Sequence, residues 1–391
     1  MRRIVVNGRF FAQQRTGVQR YGAQTLCALD RLLGQRPQCL RHTAWQLAVP
    51  HNVRELPLLE NFEIQTLQFL RDHLWEQVSL AAFARGAYLV NANYSAPLFK
   101  RNQLITVHDA SVRAYPQTFS WDYRLLNNLM VSMLAPRVDT VMTVSRFSAN
   151  ELRLHYHLTR DDWVVGREGW EHAAATPSLD EAAVLRRHGL VSGGYLLAVG
   201  SLKAHKNLGL IARALRQLDA RQTLPVAVAG SFDSRVYQGI DPPADAAMHW
   251  LGFVPDEELN VLYQHAAWFI FPSLYEGFGL PPLEAMANGC PVLAARAGPI
   301  PEIYGDAVLY FDAHDPSSLA ALLREVTMGS DASARRDEVR RRAASCLAHQ
   351  RWEANAEILL DRLINVGAVA IDAESIETFP CVASVAPMAH S

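Results

Sequence analysis

The sequence predicts an α/β protein built from two doubly wound domains. Short β-branched apolar runs alternate with amphipathic helical stretches, the signature of parallel strands covered on both faces. The alternation comes in two series, separated by a break over 166–193. At 391 residues the chain also exceeds what one ordinary core holds.

The first series opens with "RRIVVNG" (2–8) and continues with "QLITVHDA" (103–110) and "DTVMTVS" (139–145), each read as a short buried strand. Between them, "GVQRYGAQTLCALDRLL" (17–33) and "SWDYRLLNNLMVSML" (120–134) carry helical periodicity. The break, "GREGWEHAAATPSLDEAAVLRRHGLVSG", holds turn formers, an alanine run and one short helix, and the domain boundary falls there. The second series is "GYLLAVGS" (194–201), "LPVAVAGS" (224–231), "AWFIFPS" (267–273) and "CPVLAAR" (290–296). Residues 331–362 read as helix, and the basic run "ARRDEVRRRAA" is taken as its solvated face. The expected domains are therefore 1–174 and 175–365, with 366–391 a loosely held tail without periodicity. Two such domains facing across a cleft would bind ligands at the carboxyl ends of their strands.

Composition narrows the function. Half the residues are apolar and 19% charged, as in a soluble globular protein. With 37 Lys and Arg against 39 Asp and Glu, the net charge of -2 gives no reason to expect nucleic acid. The five cysteines, Cys27, Cys39, Cys290, Cys346 and Cys381, are odd in number and scattered. That argues against a disulfide framework or zinc site and for a reducing cytoplasm. No run reaches the roughly 18 apolar residues of a membrane span, and the N-terminal run is too short for a secretory leader.

The densest motif is "FPSLYEGFGLPPLEAMANGCPV" (271–292), where Glu276 and Glu284 bracket two glycines and two prolines. "AWFIFPS" is the strand. A helix starting at Pro281 or Pro282 and stopping at Gly289 leaves 277–280 as a loop entering a helix N-terminus. Glycine there permits positive φ and close approach of a ligand, and the free N–H groups and dipole favour an anion such as phosphate. The prolines lend no N–H, so Phe278, Gly279, Leu280 and Leu283 are the donors. Two carboxylates beside a phosphate need another task, and accepting bonds from a pair of hydroxyls is one. The alternative is that Glu284 complements the helix dipole and Glu276 is an ordinary loop acid.

This segment resembles the Glu-x7-Glu signature of retaining nucleotide-sugar glycosyltransferases of family 4, and further motifs recur in the family's order up to about residue 365. The resemblance implies a GT-B fold of two Rossmann-like domains. It implies that Glu276 meets the donor sugar, that Glu284 holds the ribose diol, and that the backbone of Phe278, Gly279 and Leu280 meets sugar and diphosphate. "AVGSLKAHKNL" (198–208) is similar to the family's phosphate clamp, with Lys206 in the lysine position and Ser201 where an arginine is usual. A lysine just past a strand can neutralise a departing diphosphate; an exposed lysine at a helix start is the plainer reading, and Arg296 is one candidate for the missing cation. "WLGFVPDEEL" (250–259) resembles the turn whose backbone reads the base near Phe253 and Val254.

In the first domain, His108 and Asp109 end a strand in "TVHDAS", where a hydrogen-bonded strand terminus is the simple reading; the family sets this histidine beside the donor sugar. "TVSRFSANEL" (143–152) supplies Ser145 and Ser148 as helix caps. In "QQRTGVQRYG", Gly17 matches the family's glycine-rich turn, flanked by Arg15 and Arg20. "LWEQ" and "NANYSAP" are assigned to the acceptor side, with Arg15, Asn93, Tyr94 and Asp109 its candidates and Trp75 equally a core residue.

No Ser-His-Asp set, paired-histidine metal site, P-loop or strand-end Asp-x-Asp occurs in the sequence. The implied chemistry is glycosyl transfer with retention and without metal or cofactor, with His108, Lys206 and Glu276 as catalytic residues. "EGWEH", "HDAS" and "RWEANAEILL" are similar to bacterial GDP-mannose-dependent α-mannosyltransferases of polysaccharide assembly, which implies a lipid-linked or oligosaccharide acceptor. A UDP-sugar or dTDP-rhamnose donor, a nucleotide-sugar epimerase of the same fold and a non-catalytic binding module are the competing readings. Arg2, Arg3, Arg9, Arg15, Arg20 and Lys100-Arg101 suggest peripheral contact with anionic lipid at the inner membrane face.

Overall fold

The computed structural model describes residues 1–174, 179–219, 221–230 and 248–371. The chain divides into two compact units. One holds 1–114, 119–168 and the described residues from Trp352 on; the other holds 115–118 and 169–351.

The first unit is built on a sheet of β1 (Arg2–Asn7), β2 (Thr43–Pro50), β3 (Glu63–Leu67), β4 (Tyr88–Asn91), β5 (Gln103–Thr106), β6 (Thr140–Thr143) and β7 (Val164–Val165). The strands lie in the order β3-β2-β1-β4-β5-β6-β7, and every pair is parallel. Alternation along the strands sends Val6, Val90, Leu104 and Met142 to one face, against the helices Gly17–Gln35 and Trp352–Asn365. Val5 and Leu89 point the other way, onto Trp75 and Leu80. Ile105 and Val141 do the same, onto Met130 and Leu134 of the helix Trp121–Leu134 and Leu152 of the helix Arg146–Tyr156.

The second unit carries β8 (Leu196–Val199), β9 (Val226–Ala229), β10 (Met248–Gly252), β11 (Trp268–Phe271), β12 (Val292–Ala295) and β13 (Leu309–Phe311). The order β10-β9-β8-β11-β12-β13 is again all parallel. Leu196, Val228, Ile270 and Leu293 pack with Leu210 and Ile211 of the helix Leu208–Leu215 and Leu319 and Leu323 of the helix Pro316–Met328. The seven predicted strands are all present. The expected helix over 331–362 is two, Ala332–His349 and Trp352–Asn365.

That break moves a boundary. The sequence assigned residues up to 365 to the second domain, but the helix Trp352–Asn365 belongs to the first unit. Its apolar stripe, Trp352, Ala356, Leu359, Leu360 and Leu363, is buried. Asn355 is fully buried and ties the helix down: Nδ2 donates to Thr25 Oγ1 at 2.8 Å and Oδ1 accepts from the Arg167 amide at 2.9 Å. The first residues of the expected tail are held too. Ala368 and Val369 are buried, Arg2 Nη1 donates to the Gly367 and Val369 carbonyls, and the Ala370 amide donates to Thr43 Oγ1 at 3.2 Å. The rest of that tail, 372–391 with Cys381, lies outside the described residues. Among the described residues, no helix is long and apolar enough to cross a membrane.

Candidate functional site

The loops leaving β8 and β11, neighbours in the second sheet, are fastened to each other. The Leu274 amide donates to the His205 carbonyl at 2.8 Å. Asn207 holds the left-handed conformation at φ 53°, unusual for a side chain other than glycine. Its Nδ2 repays that strain by donating to the carbonyls of Pro272 (3.1 Å) and Ala313 (2.9 Å). The clamped loops set Lys206 opposite Glu276, and Lys206 Nζ donates to both carboxylate oxygens, at 2.7 and 2.9 Å. His205, buried beside them, is pushed down to about 3 by burial and then by the charges of Lys206 and Lys203, so it is neutral at physiological pH.

The helix after β11 begins at Leu280, a residue earlier than expected, and runs to Ala287 with both prolines in its first turn. Gly279 precedes it at φ 98°, and a Cβ there would stand 2.9 Å from Ile300 Cδ1. Only glycine suits that position. The Tyr304 hydroxyl donates to the Gly279 carbonyl and fixes the peptide at the helix entry. Phe278 and Leu280 are buried. Glu284, also buried, lies one turn into the helix and accepts from His172 Nε2 at 3.0 Å. The sequence did not assign His172, Asn207 or Tyr304; the histidine stood in view as the end of "EGWEH" but had no stated partner.

Gly200 and Gly230, at the ends of β8 and β9, bring two backbones into contact: a Cβ on Gly230 would lie 1.9 Å from the Gly200 carbonyl oxygen. Ser201 follows Gly200, half-buried. Arg296, the candidate substitute cation, stacks its guanidinium on Tyr310 at 4.1 Å. In the turn after β10, Val254 is buried and the Phe253 side chain is exposed.

In the first unit, His108 sits just past β5. Its Nε2 donates to the Ala92 carbonyl at 3.2 Å, Nδ1 is 3.9 Å from Glu168 Oε1, and the Tyr21 ring meets it edge-on at 4.7 Å. Burial lowers its pKa, only partly offset by the Ala92 bond and the charge of Asp109, so the ring is neutral. Asp109 Oδ1 accepts from the Ser111 amide and Asn93 Oδ1 from the Tyr94 amide, so both acceptor-side candidates shape their own turns. Ser145 caps its helix as expected, accepting from the Ser148 amide. Gly17 opens the first helix with no atom within 4 Å of where a Cβ would stand, and Arg15 is exposed beside it.

One open reading is decided and one expectation corrected in part. Trp75 is fully buried and belongs to the core. Four of the basic residues proposed to face lipid hold the fold together instead, while Arg15 and Arg101 are exposed. Arg2 holds the C-terminal carbonyls described above, Arg3 donates to Gln46 and the Phe83 carbonyl, and Lys100 Nζ donates to the Ala84 and Ala87 carbonyls. Arg9 is buried in an ion pair with Glu76, which also accepts from Asn7 and Ser95. Burial raises the Glu76 pKa, but the His73 hydrogen bond, the Arg9 charge and the Asn7 bond outweigh it and hold the carboxyl below its ordinary value.

Residues 188–343 match the model of the family described as glycosyl transferases group 1. The match lies within the second unit. O-antigen chain mannosyltransferase B of Escherichia coli is 30% identical over 236 residues, 59% of this chain and 62% of that protein. O-antigen chain mannosyltransferase RfbU of Salmonella typhimurium is 26% identical over 259 residues, 66% of this chain and 69% of that protein. The chain thus spans a little under two thirds of the first of these relatives. Among solved structures, sucrose-phosphate synthase from Thermosynechococcus elongatus aligns with a TM-score of 0.66 at 16% identity, covering 94% of this chain and all of that one. Anabaena HepE in complex with UDP and glucose aligns with a TM-score of 0.64 at 16% identity, covering 93% and 100%. At such identity the likeness shows the fold alone, the two Rossmann-like domains of GT-B.

Proposed function

We propose that the chain is a retaining hexosyltransferase that moves mannose from GDP-mannose to a polysaccharide or lipid-linked oligosaccharide acceptor, without metal or cofactor. The observation that carries the reading is the Lys206–Glu276 pair, clamped on adjacent loops at the carboxyl ends of β8 and β11. A lysine there meets a diphosphate as charge develops on it, and the N–H groups at the entry of the Leu280 helix add to that stabilisation. Glu276 orients the ammonium group and accepts from the donor sugar. Glu284, oriented by His172, accepts from the ribose diol. Neutral His108 is the first unit's candidate for contact with the donor sugar. A leaving phosphate oxygen takes the acceptor's proton on the same face, so the chain needs no nucleophile of its own. The names of the two O-antigen mannosyltransferases favour mannose over glucose or rhamnose.

A thermal-shift panel of GDP-mannose, UDP-glucose and dTDP-rhamnose tests the donor. A ligand at a hundred times its Kd stabilises the native state by about 2.7 kcal/mol, and GDP-mannose is expected to give the largest shift. Release of α-linked product in the presence of acceptor, with no epimer formed in its absence, tests the reaction. A panel in which no nucleotide sugar shifts the transition would overturn the reading.

A further inference from the structure

The two faces of the first sheet are finished differently. The helices Gly17–Gln35 and Trp352–Asn365, on one face, expose no large apolar side chain, whereas the layer on the other face exposes many. In the helix Trp121–Leu134, Asn127, Met130, Val131 and Leu134 are buried. Trp121, Leu125 and Leu129, at i, i+4 and i+8 on the opposite side, are 75%, 63% and 49% exposed. Solvent normally meets polar residues there. In the same layer, Leu74 and Val78 are 64% and 54% exposed, and Leu154 of the helix Arg146–Tyr156 is 66% exposed. These side chains share a layer because Trp75, Met130 and Leu152 all pack on the same face of the sheet. An apolar surface of this kind marks an interaction site.

The charge of the layer says what kind. Residues 68–137, which supply most of it, hold seven Lys and Arg against four Asp and Glu, in a chain whose net charge is -2. Of the four acids, Glu76 is buried in its ion pair with Arg9. Arg71, Arg85, Arg101, Arg124 and Arg137 are exposed. Exposed apolar side chains in a segment rich in exposed arginines match a lipid surface with anionic headgroups, which takes the former into its interface and the latter at its charge.

We propose that this helical layer of the first unit docks the protein on an anionic bilayer, with Trp121, Leu125 and Leu129 entering the interface. The proposal does not depend on the transferase reading. It also moves the centre of membrane contact from Arg2, Arg3 and Arg9, which serve the fold, to a surface whose apolar groups the charge pattern alone did not single out.

The test is co-sedimentation of the full chain with vesicles of phosphatidylcholine alone or mixed equally with phosphatidylglycerol. The wild type is expected in the pellet with the mixed vesicles and far less with the neutral ones. Leu125→Asp/Leu129→Asp should lower the partition coefficient at least about tenfold, while Leu58→Asp, at an exposed site in the β2–β3 connection, should not change it. An unchanged melting temperature shows that the double variant is folded; if it melts early, Leu125→Gln/Leu129→Gln replaces it. Equal pelleting of wild type and double variant overturns the proposal, as does wild type that ignores both vesicles. A dimer in light scattering that the double variant breaks, without vesicle binding, would assign the face to a second copy instead.

Discussion

His172 and Glu284, 112 positions apart in the chain, meet through a hydrogen bond of 3.0 Å with both side chains nearly buried. The bond fixes the second signature acid from outside its own helix. A carboxylate held in this way can present its remaining acceptor capacity in one direction, which is what recognition of a vicinal diol requires.

Glu284→Ala should therefore weaken nucleoside diphosphate binding by about 1.5–3 kcal/mol, the range for a lost hydrogen bond to a charged group. His172→Ala should produce a smaller loss of the same kind, because the acid remains but is no longer aimed. Titration calorimetry with GDP reads both. Unchanged affinity in the Glu284 variant would remove the ribose role.

Lys206→Ala should lower kcat more than it raises KM, because the ammonium charge matters most as the diphosphate departs. Glu276→Gln keeps the size of the side chain but removes the partner that aims Lys206 at 2.7 Å, and should also fall mainly in kcat. Steady-state kinetics with saturating acceptor separates the two parameters. A Lys206 variant with normal kcat would place the leaving-group cation elsewhere.

All but one of the residues in these predictions are legible in the sequence alone. Glu276, Glu284, Lys206 and Gly279 stood in stretches where strand, turn and helix signals follow one another closely, so local chemistry was enough to mark them. His172, Asn207 and Tyr304 were not, because each acts through a contact with chain remote from it, and no spacing reports such a contact. The same limit explains the strands. β5, β8 and β11 are apolar runs buried on both faces. β3, "EIQTL", is an exposed edge strand with polar residues and gives little signal. The helix Trp352–Asn365 was recognised as helix but misassigned to a unit, since an apolar stripe says that something covers it and not which sheet does.

Gly230→Ala tests the meeting of the β8 and β9 ends. With its Cβ 1.9 Å from a backbone oxygen, alanine forces the main chain of one loop to move, and no flexible side chain can yield instead. A destabilisation on the order of 2–4 kcal/mol is expected, seen as a fall of roughly 2–4 °C in Tm per kcal/mol for a unit of this size. Gly17→Ala, which meets no atom within 4 Å, is the matched control and should leave Tm unchanged.

The buried histidines make stability depend on pH, with a definite sign. Burial lowers the pKa of His108 and takes His205 to about 3, while both return to the ordinary histidine value of about 6.5 on unfolding. Below that value the unfolded chain binds protons that the folded chain refuses. Stability is therefore intact above about pH 6.5 and falls as the solution is acidified, by up to about 1.4 kcal/mol per pH unit for each histidine. Between pH 7 and 5 most carboxylates remain ionised, so the histidines can be read apart from them. Urea unfolding at intervals across that window should give a steeper loss for the wild type than for His205→Gln, whose side chain cannot take up a proton in either state. Other histidines contribute equally to both proteins and cancel in the difference. Parallel curves would mean that His205 is protonated in the folded protein as readily as in the unfolded one, contrary to its burial between Lys203 and Lys206.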